Sequence, residues 1–177
     1  VIYLLTEPLN TLEAKGRVLG SYPAHFNNST KRKIHEICQP LKEKGIQYVY
    51  FSDMDSEAGN IVASELNVPF QREYGLRRFN VGWHHGNKHD HVETILESLI
   101  GKWRDNPAIP IRRGDSWVSV EKRLFRTFDR LMAKDETSVV VTDCHTATLI
   151  QMRHPKALVM NGNGCKPEKI YVVKKAD

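Results

Sequence analysis

A chain of 177 residues that is 40% apolar and 27% charged is long enough to bury a substantial core and too apolar to remain disordered. Its formal charge of +5 is small and spread along the chain, so composition alone announces no polyanion-binding protein. Three cysteines, odd in number and far apart, exclude a disulfide framework and a cysteine metal knuckle, and no apolar run reaches bilayer length.

Taken in chain order, Val1–Leu5 predicts an aliphatic strand closed by Pro8. With no secretory pattern ahead of them, the overlapping sequons Asn27-Asn28-Ser29 and Asn28-Ser29-Thr30 are expected to be idle, and the protein soluble and cytoplasmic. Lys31–Lys44 carries Ile34, Ile37, Cys38 and Leu41 at helical spacing until Gly45 stops it. Ile46–Phe51 reads as a second strand. After Ser52-Asp53, the segment SEAGNIVASELNV predicts a helix with Ala58, Ile61, Val62 and Leu66 inward, and Phe70–Leu76 an extended piece. A helix is expected over His91–Trp103. Ser116 is the expected cap of a long helix whose Val120, Leu124, Phe128 and Leu131 repeat every three or four residues. Ser138–Thr142, the most hydrophobic strand, belongs at the sheet centre, followed by a short helix ATLIQM and a last strand, Lys169–Val173. Alternating strands and helices predict an α/β layer fold, with one domain over residues 1–177.

Open α/β sheets place ligands at the carboxyl ends of their strands. That rule selects Thr6-Glu7-Pro8, Ser52-Asp53 and Thr142-Asp143-Cys144-His145, each of which brings at least one carboxylate.

The same stretches carry a resemblance. The segment Leu4 to Asn10, followed by Gly16, Arg17 and Gly20, is similar to the opening of the histidine phosphatase superfamily, the phosphoglycerate mutase-like proteins. So are Ser52-Asp53-Met54, the helix end Ser64–Pro69, Leu76–Gly86, Gly114-Asp115-Ser116-Trp117 and Thr142-Asp143-Cys144. The resemblance implies a three-layer α/β/α sandwich around a mostly parallel sheet. It also implies a site in which one histidine carries the phosphoryl group while arginines and a second histidine bind its oxygens. In this chain the nucleophile position is Glu7 and the arginine before it is Thr6. The second histidine is Asp143, the acid after Leu-Arg is Arg78, and no Arg or Lys lies between Ser52 and Leu66.

A phosphomonoester and its transition state call for positive groups around the equatorial oxygens. Carboxylates at Glu7 and Asp143 oppose that, so the expectation is a catalytically degenerate phosphatase-like domain that binds a small molecule or a protein. Two alternatives remain open. One is a hydrolase or transferase in which Glu7 and Asp143, with Asp53 or Asp55 beside them, act on a glycosidic or N-glycosidic bond. The other is a metal-assisted phosphatase, with Asp53 and Asp55 helping to hold the ion.

The catalytic candidates are thus Glu7, Asp143, Asp53 and His145. Thr6, Asn10, Arg17, Asp55, Arg78, His85 and Cys144 are the candidates for ligand contact. No cofactor is required. A divalent metal would have to sit near Asp53, or between His85 and His89 if a helical turn aligned them. Basic clusters at Lys31-Arg32-Lys33, Arg77-Arg78 and Arg112-Arg113 would serve acidic partners, nucleic acid included. No membrane association is expected, the three tryptophans are expected in ordinary packing, and the resemblance implies a homodimer.

Overall fold

The structure is a computed structural model, described over residues 1–91, 102–155 and 165–174. Strand β1 (Ile2–Thr6) is followed by a 3₁₀ turn at Glu13–Lys15, helix α1 (Asn28–Cys38) and strand β2 (Tyr48–Phe51). Helix α2 (Ser56–Leu66), strand β3 (Phe70–Arg72) and a 3₁₀ turn at Tyr74–Leu76 come next. A helical stretch begins as α3 (Trp117–Val120), passes through a π-helical segment at Glu121–Phe125 and continues as α4 (Arg126–Ala133). Strand β4 (Ser138–Thr142), helix α5 (Cys144–Arg153) and strand β5 (Lys169–Val173) complete the described elements. The helix predicted over His91–Trp103 lies mostly outside the described residues.

The strands form one sheet in the order β3-β2-β4-β1-β5, parallel except for β5, which runs antiparallel to β1 along the edge. Strand β4 is central and buried throughout, as a strand covered on both faces must be. Successive side chains alternate between the faces. Leu5, Val139, Val141 and Phe51 point toward α1 and α2, where Ile34, Cys38, Ala58 and Val62 meet them. Leu4, Val140 and Tyr50 point the other way, toward Leu124, Phe128, Leu131, Ala147 and Ile150. The expected three layers are present.

Local chemistry sets the boundaries. Asn27 caps α1, its Oδ1 accepting from Thr30 N at 2.8 Å, so the first sequon asparagine is engaged as a helix cap. Pro40 converts the end of the predicted Lys31–Lys44 helix into a 3₁₀ turn at Gln39–Leu41. Asn67, at φ 53°, ends α2 in the left-handed region. Ser116 caps α3 as expected, in a reciprocal pair with Ser119. The ATLIQM helix is longer than its apolar core suggested, because Asp143 caps it and brings Cys144 and His145 into its first turn.

Two expectations about the surface change. Trp103 and Trp117 pack into an aromatic group with Phe79 and Phe125, but Trp83 is half exposed with the Arg112 guanidinium 4.1 Å over its ring. The pair Arg77-Arg78 is no basic patch, since Arg77 is clamped on Asp53 and Arg78 is buried. Among the described residues no helix is long and apolar enough to cross a membrane.

Candidate functional site

The order β2-β4-β1 sets three parallel carboxyl ends side by side. Thr6 and Thr142 are register partners, and Glu7 N donates to Thr142 O at 3.0 Å, so the chain delivers Glu7 and Asp143 from neighbouring strand ends. From β2 come Ser52 and, one turn later, Asp55.

Between them lies the guanidinium of Arg78, 2% exposed. Its Nη2 pairs with Glu7 Oε1, its Nη1 with Glu13 Oε1 at 3.1 Å, and its Nε with Asp55 Oδ1 at 3.2 Å. Three carboxylates on one planar fork nearly exhaust its donor directions. Burial depresses the Arg78 pKa, while the Asp143 charge works the other way. A second arginine holds the first in place. Arg123, on the π-helical segment, donates to the carbonyls of Arg77 at 2.5 Å and Arg78 at 3.0 Å and pairs with Asp115, which accepts from Asn80 N. A π-helical turn often marks such a local demand.

The carboxyl groups do not share one protonation state. Burial, then the charge of Asp143, lifts Glu13 to about 7, against the backbone hydrogen bond from Asn10. Burial likewise pushes Asp55 well above the usual range, with the Ser52 hydroxyl donating at 2.6 Å as a partial offset. For Asp143 burial acts upward too, but the Arg78 charge and the His145 side chain outweigh it and hold the carboxyl below its ordinary value. His145 is raised in turn, first by its contact with Asp143, 3.6 Å away.

Beside this cluster lies a cavity of about 370 Å³. Glu7, Glu13, Asp143, Cys144, His145 and Cys165 line it together with the apolar Pro8, Leu9, Val18, Leu19 and Pro167. Arg17 and His89 also line it, and Arg17 spends Nη1 on the Gly86 carbonyl at 2.6 Å.

The structure thus brings Glu7, Asp143, His145, Cys144 and Arg17 to one cavity, with Asp55 and Arg78 directly behind it. The other candidates lie elsewhere. Asp53 is held by both Nε and Nη2 of Arg77, at 2.7 and 2.6 Å, and its pKa falls chiefly through those bonds. Thr6 is buried in a structural role: its hydroxyl donates to Lys166 O at 2.7 Å and accepts from Lys169 N at 3.0 Å. Asn10 caps the turn at Glu13–Lys15, its Oδ1 accepting from the N–H groups of Leu12 and Glu13, while Nδ2 is buried without a partner. His85 accepts from Gly20 N and stacks on Tyr22, and burial lowers its pKa. It shares no helical turn with His89, because Gly86 at φ 80° intervenes. Among the described residues no group of three or more His, Cys, Asp and Glu side chains is arranged to hold a metal.

Two pocket residues with titratable side chains escaped the sequence reading. Glu13 had a signal in Asn10-x-x-Glu13, the spacing of a reciprocal cap, since Asn10 N donates to Glu13 Oε2 at 3.2 Å. Cys165 had none; its thiol meets that of Cys144, which lowers one pKa and raises the other.

The model of the histidine phosphatase superfamily (branch 1) matches residues 10–156. The chain belongs to the histidine phosphatase superfamily. Solved structures of similar shape include Bacillus stearothermophilus YhfR, 16% identical, covering 97% of this chain and 94% of that one at a TM-score of 0.75. The mycobacterial glucosyl-3-phosphoglycerate phosphatase in complex with VO3 is 15% identical and covers 96% and 88%, at 0.74. The alpha-ribazole phosphatase from Shigella flexneri is 15% identical and covers 86% and 78%, at 0.68. No curated protein matches the chain by sequence. In this histidine phosphatase superfamily member the pocket stands at the carboxyl ends of β1 and β4, and its lining carries Glu7, Glu13 and Asp143. Not every charge is missing, however. A cation has returned through Arg78, from the position where the resemblance implies an acid.

Proposed function

We propose that this histidine phosphatase superfamily domain binds a ligand in the cavity beside Glu7 and Asp143 and forms no phosphohistidine. The carrying observation is the state of Arg78: the cation at the centre of the cluster is already paired with Glu7, Glu13 and Asp55. A phosphoryl group brings about two negative charges. To reach Arg78 it would have to displace carboxylates, and each like charge it met within 4 Å would cost about 4 kcal/mol at the effective dielectric of a protein surface. Neither position implied to carry a histidine holds a nitrogen nucleophile, and His145, exposed on the first turn of α5, leans on Asp143.

Turnover of p-nitrophenyl phosphate, with and without Mg²⁺, tests this reading. The expectation is no release above the uncatalysed rate. Metal-free turnover that Glu7→Gln abolishes would overturn it.

A second reading, hydrolysis or transfer at a glycosidic bond, has one observation in its favour. Glu13 is pushed up to about 7 while Asp143 is held low, the divergence that separates a general acid from an ionised partner. It makes Glu13, in place of Glu7, the acid. Release of nitrophenol from a panel of p-nitrophenyl glycosides, lost in Glu13→Gln, is the result that reading requires.

A further inference from the structure

We infer that the ligand of this cavity is a small organic cation, an alkylammonium or guanidinium compound, whose charged head is taken by Glu7 and Asp143. The inference rests on the ligand-binding reading above and adds the chemistry of the occupant.

The argument begins with free acceptors. Glu7 is 3% exposed and Asp143 5%. Both line the cavity, and among the described residues Glu7 Oε2 and Asp143 Oδ1 complete no hydrogen bond of good geometry, although the Thr146 hydroxyl lies near enough to Asp143 to help lower its pKa. A buried acceptor without a donor costs roughly 1–3 kcal/mol, more when charged, so a donor supplied from the cavity is favoured on desolvation grounds alone.

Charge then selects among donors. Arg78 neutralises Glu7, Asp55 is held toward its neutral acid by burial, and Glu13 is poised near neutrality. Asp143 stays ionised: the single charge of Arg78 is shared between it and Glu7, and the solvent-facing His145 adds only a partial counter-charge. The arginine that lines the cavity, Arg17, spends its Nη1 on the Gly86 carbonyl. The resident charge is therefore negative where the two free oxygens lie. An anion is repelled there, a neutral hydroxyl gains little, and an ammonium or guanidinium group gains a charge-assisted bond to each oxygen.

The apolar part of the lining sets the rest of the ligand. Pro8, Leu9, Val18, Leu19 and Pro167 present carbon to the cavity. About 370 Å³ is room for a short aliphatic or ring-bearing body behind the head group. A bare divalent ion is a poorer fit, because among the described residues no metal-holding cluster is present.

The test uses the full chain at constant ionic strength, with calorimetric titration and thermal unfolding. The probes are n-butylammonium and n-butylguanidinium chlorides, D-ribose and inorganic phosphate. The expected result is saturable binding of one or both cations, with about a tenfold or greater loss in Asp143→Asn. Because that variant also disturbs the cap of α5, Leu9→Trp serves as the second variant. Leu9 is half exposed in the apolar part of the lining, so a larger ring there obstructs the cavity without touching the buried charges, and it too should abolish binding. Saturable binding of ribose with no response to either cation would overturn the inference and leave the ligand-binding reading in place. Saturable binding of phosphate that Leu9→Trp removes would overturn the inference, and with it the claim that the carboxylates around Arg78 keep a phosphoryl group out. No response to any of the four probes would overturn the inference.

Discussion

At the scale of single residues, Glu13 is where pH enters. Its carboxyl titrates near 7 when folded and near 4.5 when free. A group whose pKa is raised by folding gives its full stabilisation below the unfolded value and loses it as pH rises through the folded one. Stability should therefore fall between about pH 4.5 and 7 by up to about 3 kcal/mol from this group. Glu13→Gln, which keeps an oxygen for Arg78, should flatten that part of the profile in denaturant titrations at successive pH values. An unchanged slope would refute the assignment. The thiols divide as clearly. Cys38 is fully buried and pushed up to about 12, while Cys165 is lowered by the hydrogen bond with Cys144. Iodoacetamide should label Cys165 first and Cys38 only on unfolding, as peptide mass mapping would record.

Elements explain how those residues come to meet. Helix α2 lies so close to the sheet that a Cβ on Gly59 would fall 2.2 Å from the Phe51 ring. Gly59→Ala should destabilise by about 1–3 kcal/mol despite the better helix propensity of alanine, read as a lower midpoint at unchanged m-value. The π-helical segment has a comparable role on the other face, for it presents Arg123 to the carbonyls of Arg77 and Arg78. Arg123→Met should loosen the Arg78 loop and cost about 1–3 kcal/mol through those unpaired carbonyls, in the same titration. Most elements were legible because periodicity survives in single segments: Ser138–Thr142 announced its burial and Ser116 its cap. The boundaries moved where a cap or a proline overrode the apolar pattern, as at Asp143 and Pro40. The site was legible only in part. Strand ends pointed to Glu7, Asp143 and His145, whereas the choice between Asp53 and Asp55 depended on which adjacent arginine turned inward. Nothing in Arg77-Arg78 encodes that choice; the 3₁₀ turn and Arg123 do.

Across the whole molecule, the sheet order places two acidic strand ends, Glu7 and Asp143, on a cavity with Asp55 behind them, and leaves one buried guanidinium to balance the three. The fold is that of the histidine phosphatase superfamily, and on the proposed reading the sign of the charge at its pocket is reversed from what the resemblance implies. That reversal is the central claim, and orthovanadate, an anionic phosphate mimic, tests it most directly. Thermal unfolding of the full chain across an orthovanadate titration is predicted to show no shift of Tm. A saturable rise in Tm that Leu9→Trp abolishes would contradict the account.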